Sequence, residues 1–440
     1  MTAEEGHLER AELAALQGER LRSLLAAILP ANRFYAEKFA AAGVSARDVR
    51  GLEDLPRLPF TTKAELLADQ AAHPPYGSIL TYPATRYRRL HQTSGTRGRP
   101  LRWLDTADSW QRLVGCWKTI FRIVGIGEGE RLFFPFSFGP FLGFWTAFEA
   151  AGQFGCLCLA GGGMSSPARL QFLLDNQATV VLCTPTYALH LVEVARQQGV
   201  ELRRAGVRAL IVAGEPGGSI PATRSRIEEG WGARVFDHSG LTEVGPLTIE
   251  CPEGPGGLHL LEADYIGEVI DPESGELTPT GQVGELVVTN LHRAGSPVVR
   301  YRTGDLVRVS PRPCPCGRTF LRLDGGILGR TDDMIHLRGN NLYPGALEDV
   351  IRRFPEVAEY RIEVDSSGPL AALRIEVEPR SADGASLLAE SVGQAIRDAF
   401  LFRAEVRAVA PGTLPRFEMK AQRWLTNEPQ RHRDTEKTRE

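Results

Sequence analysis

A segment rich in glycine and hydroxyl residues has the composition of a phosphate-binding loop. Its sequence is Thr93-Ser94-Gly95-Thr96-Arg97-Gly98-Arg99-Pro100. Glycine lets backbone N–H groups approach phosphate oxygens closely, and the serine and threonine hydroxyls add further donors. The two arginines add positive charge. The Gly-Lys-Ser/Thr ending of a Walker loop is missing, and taken alone such a segment is more often a plain surface turn.

Two pairs of metal-ligating residues lie further along the chain, Cys251 with His259 and Cys314 with Cys316. Four sulfur and nitrogen ligands in two close pairs are typical of a closed tetrahedral Zn²⁺ site. The Cys-Pro-Cys spacing is tighter than that of a zinc-finger knuckle. The sequence therefore predicts a structural zinc site, with a redox-inert pair of buried thiols as the alternative.

A run of aromatic residues, Phe133 to Phe141, forms a candidate substrate pocket. The rings of Phe136, Phe138 and Phe141 are spaced so that they could enclose a planar acid. An aromatic run is more often simply core, and that alternative stays open.

The elements that must position these residues follow an α/β rhythm. An amphipathic N-terminal helix is followed by short apolar runs at residues 178–185, 207–215 and 233–240, each ending in Gly, Pro, Ser or Asp. Functional loops are expected where these strands end, because α/β sheets bind ligands at the carboxyl ends of their strands. After Gly245 the pattern changes to short segments separated by turns, as in a β-rich subdomain.

Three regions are predicted along the chain. A boundary near Leu328 separates a large domain, residues 1–328, from a smaller α+β domain, residues 329–426, with a helix starting near Tyr343. The charged segment 427–440 is predicted to be a disordered tail.

Length and charge narrow the class of protein. The chain has 440 residues and a formal net charge of -3, which gives no sign of a nucleic-acid surface. The charged N-terminus differs from a signal peptide, and prolines, glycines and a glutamate interrupt the most apolar region, residues 132–160, so no membrane span is predicted. Seven cysteines without an export signal predict the reducing cytoplasm rather than a disulfide framework.

The loop that begins at Thr93 resembles the phosphate-binding signature of the adenylate-forming superfamily. Residues 32–66 are similar to the opening of the phenylacetate-CoA ligase family and of its relative, coenzyme F390 synthetase, and further motifs follow in the family's order. This resemblance implies a large N-terminal α/β domain with a β-rich subdomain and a small C-terminal α+β domain. It implies ATP, Mg²⁺ and CoA as cofactors, and a small carboxylic acid of the aromatic, phenylacetate-like kind as substrate.

The resemblance assigns nucleotide-binding roles to motifs in the large domain. Gly214-Glu215-Pro216 resembles the loop that lies along adenine, and Asp237-His238-Ser239-Gly240-Leu241-Thr242-Glu243 resembles the motif that follows it. Asp237 is then expected near the adenine amino group, Thr242 near the α-phosphate, and Glu243 at Mg²⁺. Ser239 departs from the family, which usually has an aromatic ring there, so stacking is either lost or supplied by another residue such as His238.

Later motifs complete the implied site. Asp305 is expected at the ribose hydroxyls, Arg330 at the nucleotide, and Asp332 at the hinge between two catalytic conformations. Lys420 matches the family's C-terminal catalytic lysine, which would neutralise charge as pyrophosphate leaves. Some members of the family hold a structural zinc.

Three functions are compatible with these motifs. The first is an AMP-forming acyl-CoA or aryl-CoA ligase, in which acyl-AMP forms and a thiol then displaces AMP. The second is an adenylating enzyme that does not use CoA, such as a nucleotidyltransferase that transfers AMP to a hydroxyl. The third is a non-catalytic, zinc-stabilised binding protein. The oligomeric state stays open, with a homodimer as one option.

Overall fold

The structure is a computed structural model that describes residues 5–29, 31–93, 99–332, 335–337, 340–365, 372–400, 402–417 and 421–427. The chain forms two compact units, Met1–Asp332 and Asp333–Glu440. The division falls just after the boundary predicted near Leu328. No helix among the described residues is both long and apolar enough to cross a membrane.

The first unit opens with helices. They are α1 Arg10–Ile28, α2 Arg33–Ala41 and α3 Lys63–Ala72. Helix α1 is amphipathic as predicted and buries Leu13, Leu21, Leu24, Leu25 and Ile28. Helix α3 begins at a capping box, in which Thr62 and Glu65 each accept the other's backbone N–H. Short 3₁₀ helices cover Glu5–His7, Ala46–Asp48, Leu52–Arg57, Ala84–Arg86 and Leu202–Arg204.

An antiparallel hairpin follows, with strands β1 Tyr87–Gln92 and β2 Arg102–Thr106. The predicted phosphate-binding loop is the connection of this hairpin. At its base the Thr93 N–H donates to the carbonyl of Leu101, and the Leu101 N–H donates to the Thr93 hydroxyl, each over 3.0 Å. Helix α4, Ala107–Val124, leads from the hairpin into the sheet.

The centre of the first unit is a five-stranded parallel sheet with the order β4-β3-β5-β6-β7. Its strands are β3 Arg131–Phe134, β4 Leu157–Ala160, β5 Val180–Cys183, β6 Ala209–Val212 and β7 Arg234–Asp237. Its helices are α5 Trp145–Gln153, α6 Ser166–Asp175, α7 Pro185–Gln197 and α8 Pro221–Trp231. The three apolar runs predicted as strands are β5, β6 and β7, which confirms the α/β prediction.

Successive side chains of β5 enter different hydrophobic cores. Val180 and Leu182 pack in the larger core, whereas Val181 and Cys183 pack in the smaller one. Such burial on both faces explains why the strand is a continuous apolar run. The chain order of the strands reverses between β3 and β5, so this fold is expected to bind ligands beyond their carboxyl ends.

The remainder of the first unit is rich in β-structure, as predicted. It contains β8 Gly240–Leu241, β9 Gly245–Pro246, β10 Thr248–Glu250, β11 Gly257–Leu260, β12 Tyr265–Ile270, β13 Val283–Asn290, β14 Tyr301–Arg308, β15 Arg322–Asp324 and β16 Gly329–Arg330. Strands β12, β13, β14 and β16 form one antiparallel sheet, and β10, β11 and β15 form another.

The second unit is an α+β structure with its own core. Its elements are β17 Ile335–Leu337, β18 Asn340–Leu342, α9 Pro344–Arg352, β19 Val357–Asp365, β20 Ala372–Pro379, α10 Ala385–Phe400, β21 Glu405–Ala408 and β22 Trp424–Asn427. Asn427, predicted to open the tail, is the last residue of β22. Residues 428–440 lie outside the described part of the chain.

Candidate active site

Glu243 is a buried carboxylate with a proton donor and a cation beside it. Its side chain lies between β8 and β9 and is 3% exposed. The Tyr301 hydroxyl donates to its Oε1 atom over 3.2 Å, and the Lys63 ammonium lies 3.6 Å from the same oxygen. Burial, reinforced by the charge of Glu243, raises the pKa of Tyr301, which therefore remains a proton donor.

Backbone pairing explains why Lys63 reaches Glu243. Thr61 donates its N–H to the Arg300 carbonyl and accepts the Arg302 N–H, both over 2.9 Å. Tyr301 lies opposite Thr61, and α3 starts two residues later at Lys63. We did not assign Lys63 or Tyr301 a role from the sequence. The only local signal for Lys63 is its position immediately after the N-cap of α3.

Asp237 is a buried carboxylate of a different kind. It ends β7, accepts a hydrogen bond from the Ser219 hydroxyl, and also accepts the His238 N–H over 3.1 Å. Burial raises the pKa of Asp237 to about 7, and the nearby Glu250 adds to the effect. Glu250 itself is fully buried and accepts two hydrogen bonds of 2.8 Å from Arg224.

His238 and Ser239 directly follow β7, and His238 lies beside helix α4. The His238 Nδ1–H donates to the carbonyl of Thr248, and burial lowers the pKa of His238 to about 4, so the imidazole is neutral. Its ring centroid lies 4.6 Å from that of Trp117. The Ser239 hydroxyl hydrogen-bonds to the hydroxyl of Thr248 over 2.8 Å. This chain has Ser239 where the family motif usually has an aromatic ring, and the ring of Trp117 lies beside the neighbouring residue, His238.

The predicted adenine loop follows β6. Gly214 has a φ of 95°, a backbone conformation that glycine adopts without strain. The Glu215 carboxylate accepts the Thr186 N–H in the first turn of α7 over 2.8 Å, which ties the loop to this preceding helix. Pro216 is exposed at the tip of this loop.

Asp305, Arg330 and Asp332 form a linked set on paired strands. Asp305 lies opposite Arg330 in the pairing of β14 with β16. The Arg330 guanidinium donates to one oxygen of Asp305 and to one of Asp332, each over 2.9 Å. The predicted ribose and hinge carboxylates thus share one arginine.

The aromatic residues after β3 form a cluster. The Phe136 ring lies 5.4 Å from Phe138 and 5.6 Å from Phe144, and Phe144 lies 6.0 Å from Trp117. This ring series runs from the end of β3 to Trp117 beside His238. Phe138 also contacts Phe134, Trp145 and Phe148, and the half-buried Phe141 lies in the same loop.

The four predicted zinc ligands meet in one cluster. The ligand atoms of Cys251, His259, Cys314 and Cys316 all lie within 4.8 Å of one another. The Cys251 and Cys314 sulfurs are 3.5 Å apart, and the Cys316 sulfur is 3.4 Å from Nε2 of His259. A Cβ on Gly254 would lie 2.7 Å from the Cys314 sulfur, so the backbone packs tightly against the cluster. Separations of this size suit a tetrahedral Zn²⁺ ion.

Several predicted residues lie outside the described part of the chain: Ser94, Gly95, Thr96, Gly98 and Lys420. Of the predicted loop, Thr93 is described at the hairpin base. Of the other predicted site residues, Gly214, Glu215 and Pro216 follow β6, Asp237 ends β7, and Glu243 and Asp305 belong to the β-rich region.

Residues 90–293 match the AMP-binding enzyme family, and residues 339–427 match the AMP-binding enzyme C-terminal domain. Among solved structures, 2-hydroxyisobutyryl-CoA ligase in the postadenylation state with 2-HIB-AMP superposes with a TM-score of 0.92 and 29% identity. The match covers 96% of this chain and 91% of that chain. The fold is therefore that of the adenylate-forming enzymes, as predicted.

Sequence relatives narrow this class. The phenylacetate-coenzyme A ligase of Thermus thermophilus is 34% identical, with the match covering 93% of this chain and 95% of the relative. The enzyme of the same name from Pseudomonas putida is 32% identical over 94% of each. The chain belongs to the phenylacetate-CoA ligase family and is an AMP-forming ligase.

Proposed function

We propose that this protein activates a carboxylic acid with Mg-ATP to form an acyl-adenylate, and that CoA then displaces AMP to give the acyl-CoA. The buried Glu243 carboxylate, held between Lys63 and Tyr301 in a member of this ligase family, is the observation that carries the proposal. A buried carboxylate at this position is suited to Mg²⁺, which prefers one or two carboxylates together with phosphate oxygens.

In the first step, the substrate carboxylate attacks the α-phosphorus and the bond to pyrophosphate breaks. The attacking and leaving oxygens lie roughly in line, so the protein contributes by positioning and by neutralising charge. We assign Glu243 to the metal ion, and Thr242 and the loop residues Thr93, Ser94, Gly95, Thr96 and Gly98 to the phosphates. Lys63 is half-exposed, so it can turn from Glu243 toward the phosphates.

The nucleoside is assigned to the neighbouring loops. Gly214, Glu215 and Pro216 follow the strand next to the one that ends at Asp237, so both loops leave the same edge of the sheet. Asp237 would accept a hydrogen bond from the adenine amino group. Asp305 would bind the ribose, with Arg330 holding one of its oxygens in place.

Lys420 and Asp332 are proposed to act in sequence. Lys420 would neutralise charge during adenylation, and rotation at Asp332 would then let the thiol approach. Replacing Lys420 with alanine should abolish adenylate formation while sparing thioester formation from supplied acyl-AMP. Equal loss of both half-reactions would contradict this role.

We propose an aromatic acid as substrate. The ring series from Phe136 through Phe144 to Trp117 supports this choice, because it leads from the end of β3 to the residues that follow β7. The relative with the similar structure is named for a small aliphatic hydroxy acid, whereas the sequence relatives are named for phenylacetate. A panel that includes phenylacetate, benzoate and 2-hydroxyisobutyrate therefore discriminates between the two kinds of pocket.

The test is pyrophosphate exchange into ATP over that panel, followed by AMP release with and without CoA. We expect exchange to be fastest with an aromatic acid, and CoA to accelerate AMP release. If pyrophosphate exchange occurs but CoA does not accelerate AMP release, the result would favour an adenylating enzyme with a different acceptor. Exchange only with 2-hydroxyisobutyrate would contradict the aromatic assignment.

We also propose that Cys251, His259, Cys314 and Cys316 bind a structural Zn²⁺ ion. Such an ion would crosslink β11 to the segments around Cys251 and Cys314, and chelation would then lower the stability of the first unit. Replacing Cys314 with serine should lower the zinc content and the thermal midpoint by about 5–10 °C. Replacing Cys183, which is buried but lies outside this cluster, with serine should leave the zinc content unchanged. A purified wild-type protein without zinc would contradict the proposal.

A further inference from the structure

The backbone on both sides of Glu243 is held by side chains from one turn. The Arg293 guanidinium donates to the carbonyl of Thr242 over 2.7 Å, and the Asn290 amide donates to the carbonyl of Val244 over 2.7 Å. Arg293 and Asn290 are each 1% exposed. The carbonyl groups of the residue before and the residue after the proposed metal ligand thus both accept a hydrogen bond from this turn.

The turn that carries these two donors is itself well ordered by hydrogen bonds. The Asn290 carbonyl oxygen Oδ1 accepts the backbone N–H of His292 over 2.9 Å and that of Arg293 over 3.0 Å. Asn290 ends β13, so the antiparallel sheet supports the turn directly. One residue therefore shapes the turn and also contacts the Val244 carbonyl.

A buried ion pair links this turn to the hairpin of the phosphate-binding loop. Arg293 donates to both oxygens of Asp105, over 2.7 and 2.6 Å, and the side chain of Asp105 is fully buried. Asp105 belongs to β2, the strand by which the chain leaves the loop. Arg293 therefore connects that strand to the residue before Glu243.

We propose that Asn290, Arg293 and Asp105, together called the carbonyl clamp, are positioning residues for adenylation. The clamp fixes Glu243 relative to the phosphate-binding loop, so that the metal ion and the phosphates meet in the reactive geometry. This inference rests on the proposed function, because it requires that Glu243 binds the metal ion of Mg-ATP.

The principal test is Arg293→Lys. Lysine keeps the positive charge beside Asp105 but replaces three donor nitrogens by one, so it cannot reproduce the fork that joins Asp105 to Thr242. We expect kcat for pyrophosphate exchange to fall about 100-fold and the Mg²⁺ concentration at half-maximal rate to rise several-fold, because misplacement by about 1 Å has effects of this size. Thioester formation from supplied acyl-AMP should change by less than about threefold, because AMP is the leaving group in that step and pyrophosphate takes no part in it.

Arg208→Lys is the matched control. Arg208 donates to the Glu130 carboxylate over 2.7 Å and to the Gly125 carbonyl over 2.9 Å, at the opposite end of the sheet. Because Arg208 is more exposed than Arg293, the two substitutions can differ in their effect on stability. Thermal unfolding is therefore measured for both variants. We expect the control to keep wild-type adenylation and Mg²⁺ dependence.

A second variant keeps the inference testable if Arg293→Lys does not fold. Asn290→Asp retains the oxygen that accepts the two N–H groups of the turn but removes the shorter of two hydrogen bonds to the Val244 carbonyl, to which the Tyr265 hydroxyl donates over 3.4 Å. It should also slow adenylation more than thioester formation. Equal slowing of both half-reactions, or an unchanged Mg²⁺ dependence, would overturn the clamp.

The proposed function and the clamp fail in different ways. Absence of exchange in the wild-type protein with every acid would count against the proposed function. In that case Mg-ATP binding, measured by calorimetry, still tests the clamp, because Arg293→Lys should weaken it relative to the Arg208→Lys control. Equal Mg-ATP affinity in these two variants would overturn the clamp on its own.

Discussion

Two buried acids at the same edge of the molecule, Glu243 and Asp237, have opposite surroundings. Glu243 has the Lys63 ammonium and the Tyr301 hydroxyl beside it. Asp237 has the hydroxyl of Ser219 and lies near Glu250, and its pKa is raised to about 7 mainly by burial. The two buried carboxylates thus differ in their neighbours: Glu243 has a cation beside it, whereas Asp237 lies near a second acid that adds to the rise of its pKa.

The different neighbours of Glu243 and Asp237 favour different roles in ATP binding. A carboxylate with a cation beside it suits a metal ion, whereas one that shares its proton near neutral pH suits a neutral hydrogen-bond donor such as an amino group. Glu243 would therefore act on the reacting phosphates, and Asp237 would act on the base. The following variants test these two roles, in order of decreasing expected effect.

Glu243→Gln should have the largest effect. The amide has nearly the same shape but lacks the charge that Mg²⁺ requires, so adenylation should fall about 1000-fold, the upper end for loss of a preorganised electrostatic contact. Pyrophosphate exchange at several Mg²⁺ concentrations measures it. Recovery of the wild-type rate at high Mg²⁺ would mean that Glu243 contributes only to the affinity for the metal ion. A wild-type rate at every Mg²⁺ concentration would contradict its role as a metal ligand.

Lys63→Met should slow adenylation about 10-fold to 100-fold, because it removes a cation from the phosphate region but leaves Glu243 in place. Lys38→Met is the control, since Lys38 pairs with Glu65 on the same N-terminal segment without contacting Glu243. The adenylation rates of both variants should be measured at a temperature at which both proteins are fully folded. Similar losses in both would mean that Lys63 only stabilises α3.

Asp237 should make adenosine binding depend on pH. Because its pKa is raised to about 7, the unliganded carboxyl is protonated below that pH, and binding of the adenine amino group favours the charged form. Affinity should therefore rise as pH increases toward 7 and level off above it, with a change of at most about tenfold per pH unit. Adenosine is the probe because it carries no phosphate that titrates in this range.

The same raised pKa has an opposite consequence for folding. Between the ordinary pKa of an aspartate, 3.8, and about 7, the folded protein binds more protons at Asp237 than the unfolded chain. Its contribution to stability therefore decreases as pH rises through this window. Asp237→Asn should flatten both dependences, and an unchanged pH profile of adenosine binding in this variant would assign the dependence to another group.

Tyr301→Phe should have the smallest effect, a loss of about fivefold in adenylation. It removes one hydrogen bond to Glu243 while the Lys63 ammonium remains. The rate of pyrophosphate exchange at saturating substrates measures it. A loss as large as that of Glu243→Gln would mean that the tyrosine orients the carboxylate and that Lys63 contributes little.

Local sequence patterns predicted the parts of the molecule that local physics determines. The apolar runs of β5, β6 and β7 could be recognised because both faces of each strand are buried, and the turn residues after them mark the edge of the sheet where we propose the site. The zinc-type cluster could be recognised because cysteine and histidine at short spacing have few other uses. Its four ligand atoms do meet in the structure.

Long-range pairings could not be predicted in the same way. Lys63 reaches Glu243 only because Thr61 pairs with β14, and Trp117 approaches His238 from a helix far away in sequence. Arg293 and Asp105 each look like ordinary charged residues, and their role as a buried pair depends on the packing of the hairpin against the turn. Such contacts require the tertiary fold.

The most direct test of the central claim is a single turnover with an acid and Mg-ATP in the absence of CoA. Rapid quenching and mass spectrometry would detect the acyl-adenylate. We expect wild-type protein to form about one equivalent of acyl-AMP and pyrophosphate per site, and Glu243→Gln to form almost none. ADP as the product, or acyl-AMP formed equally by both proteins, would contradict the account.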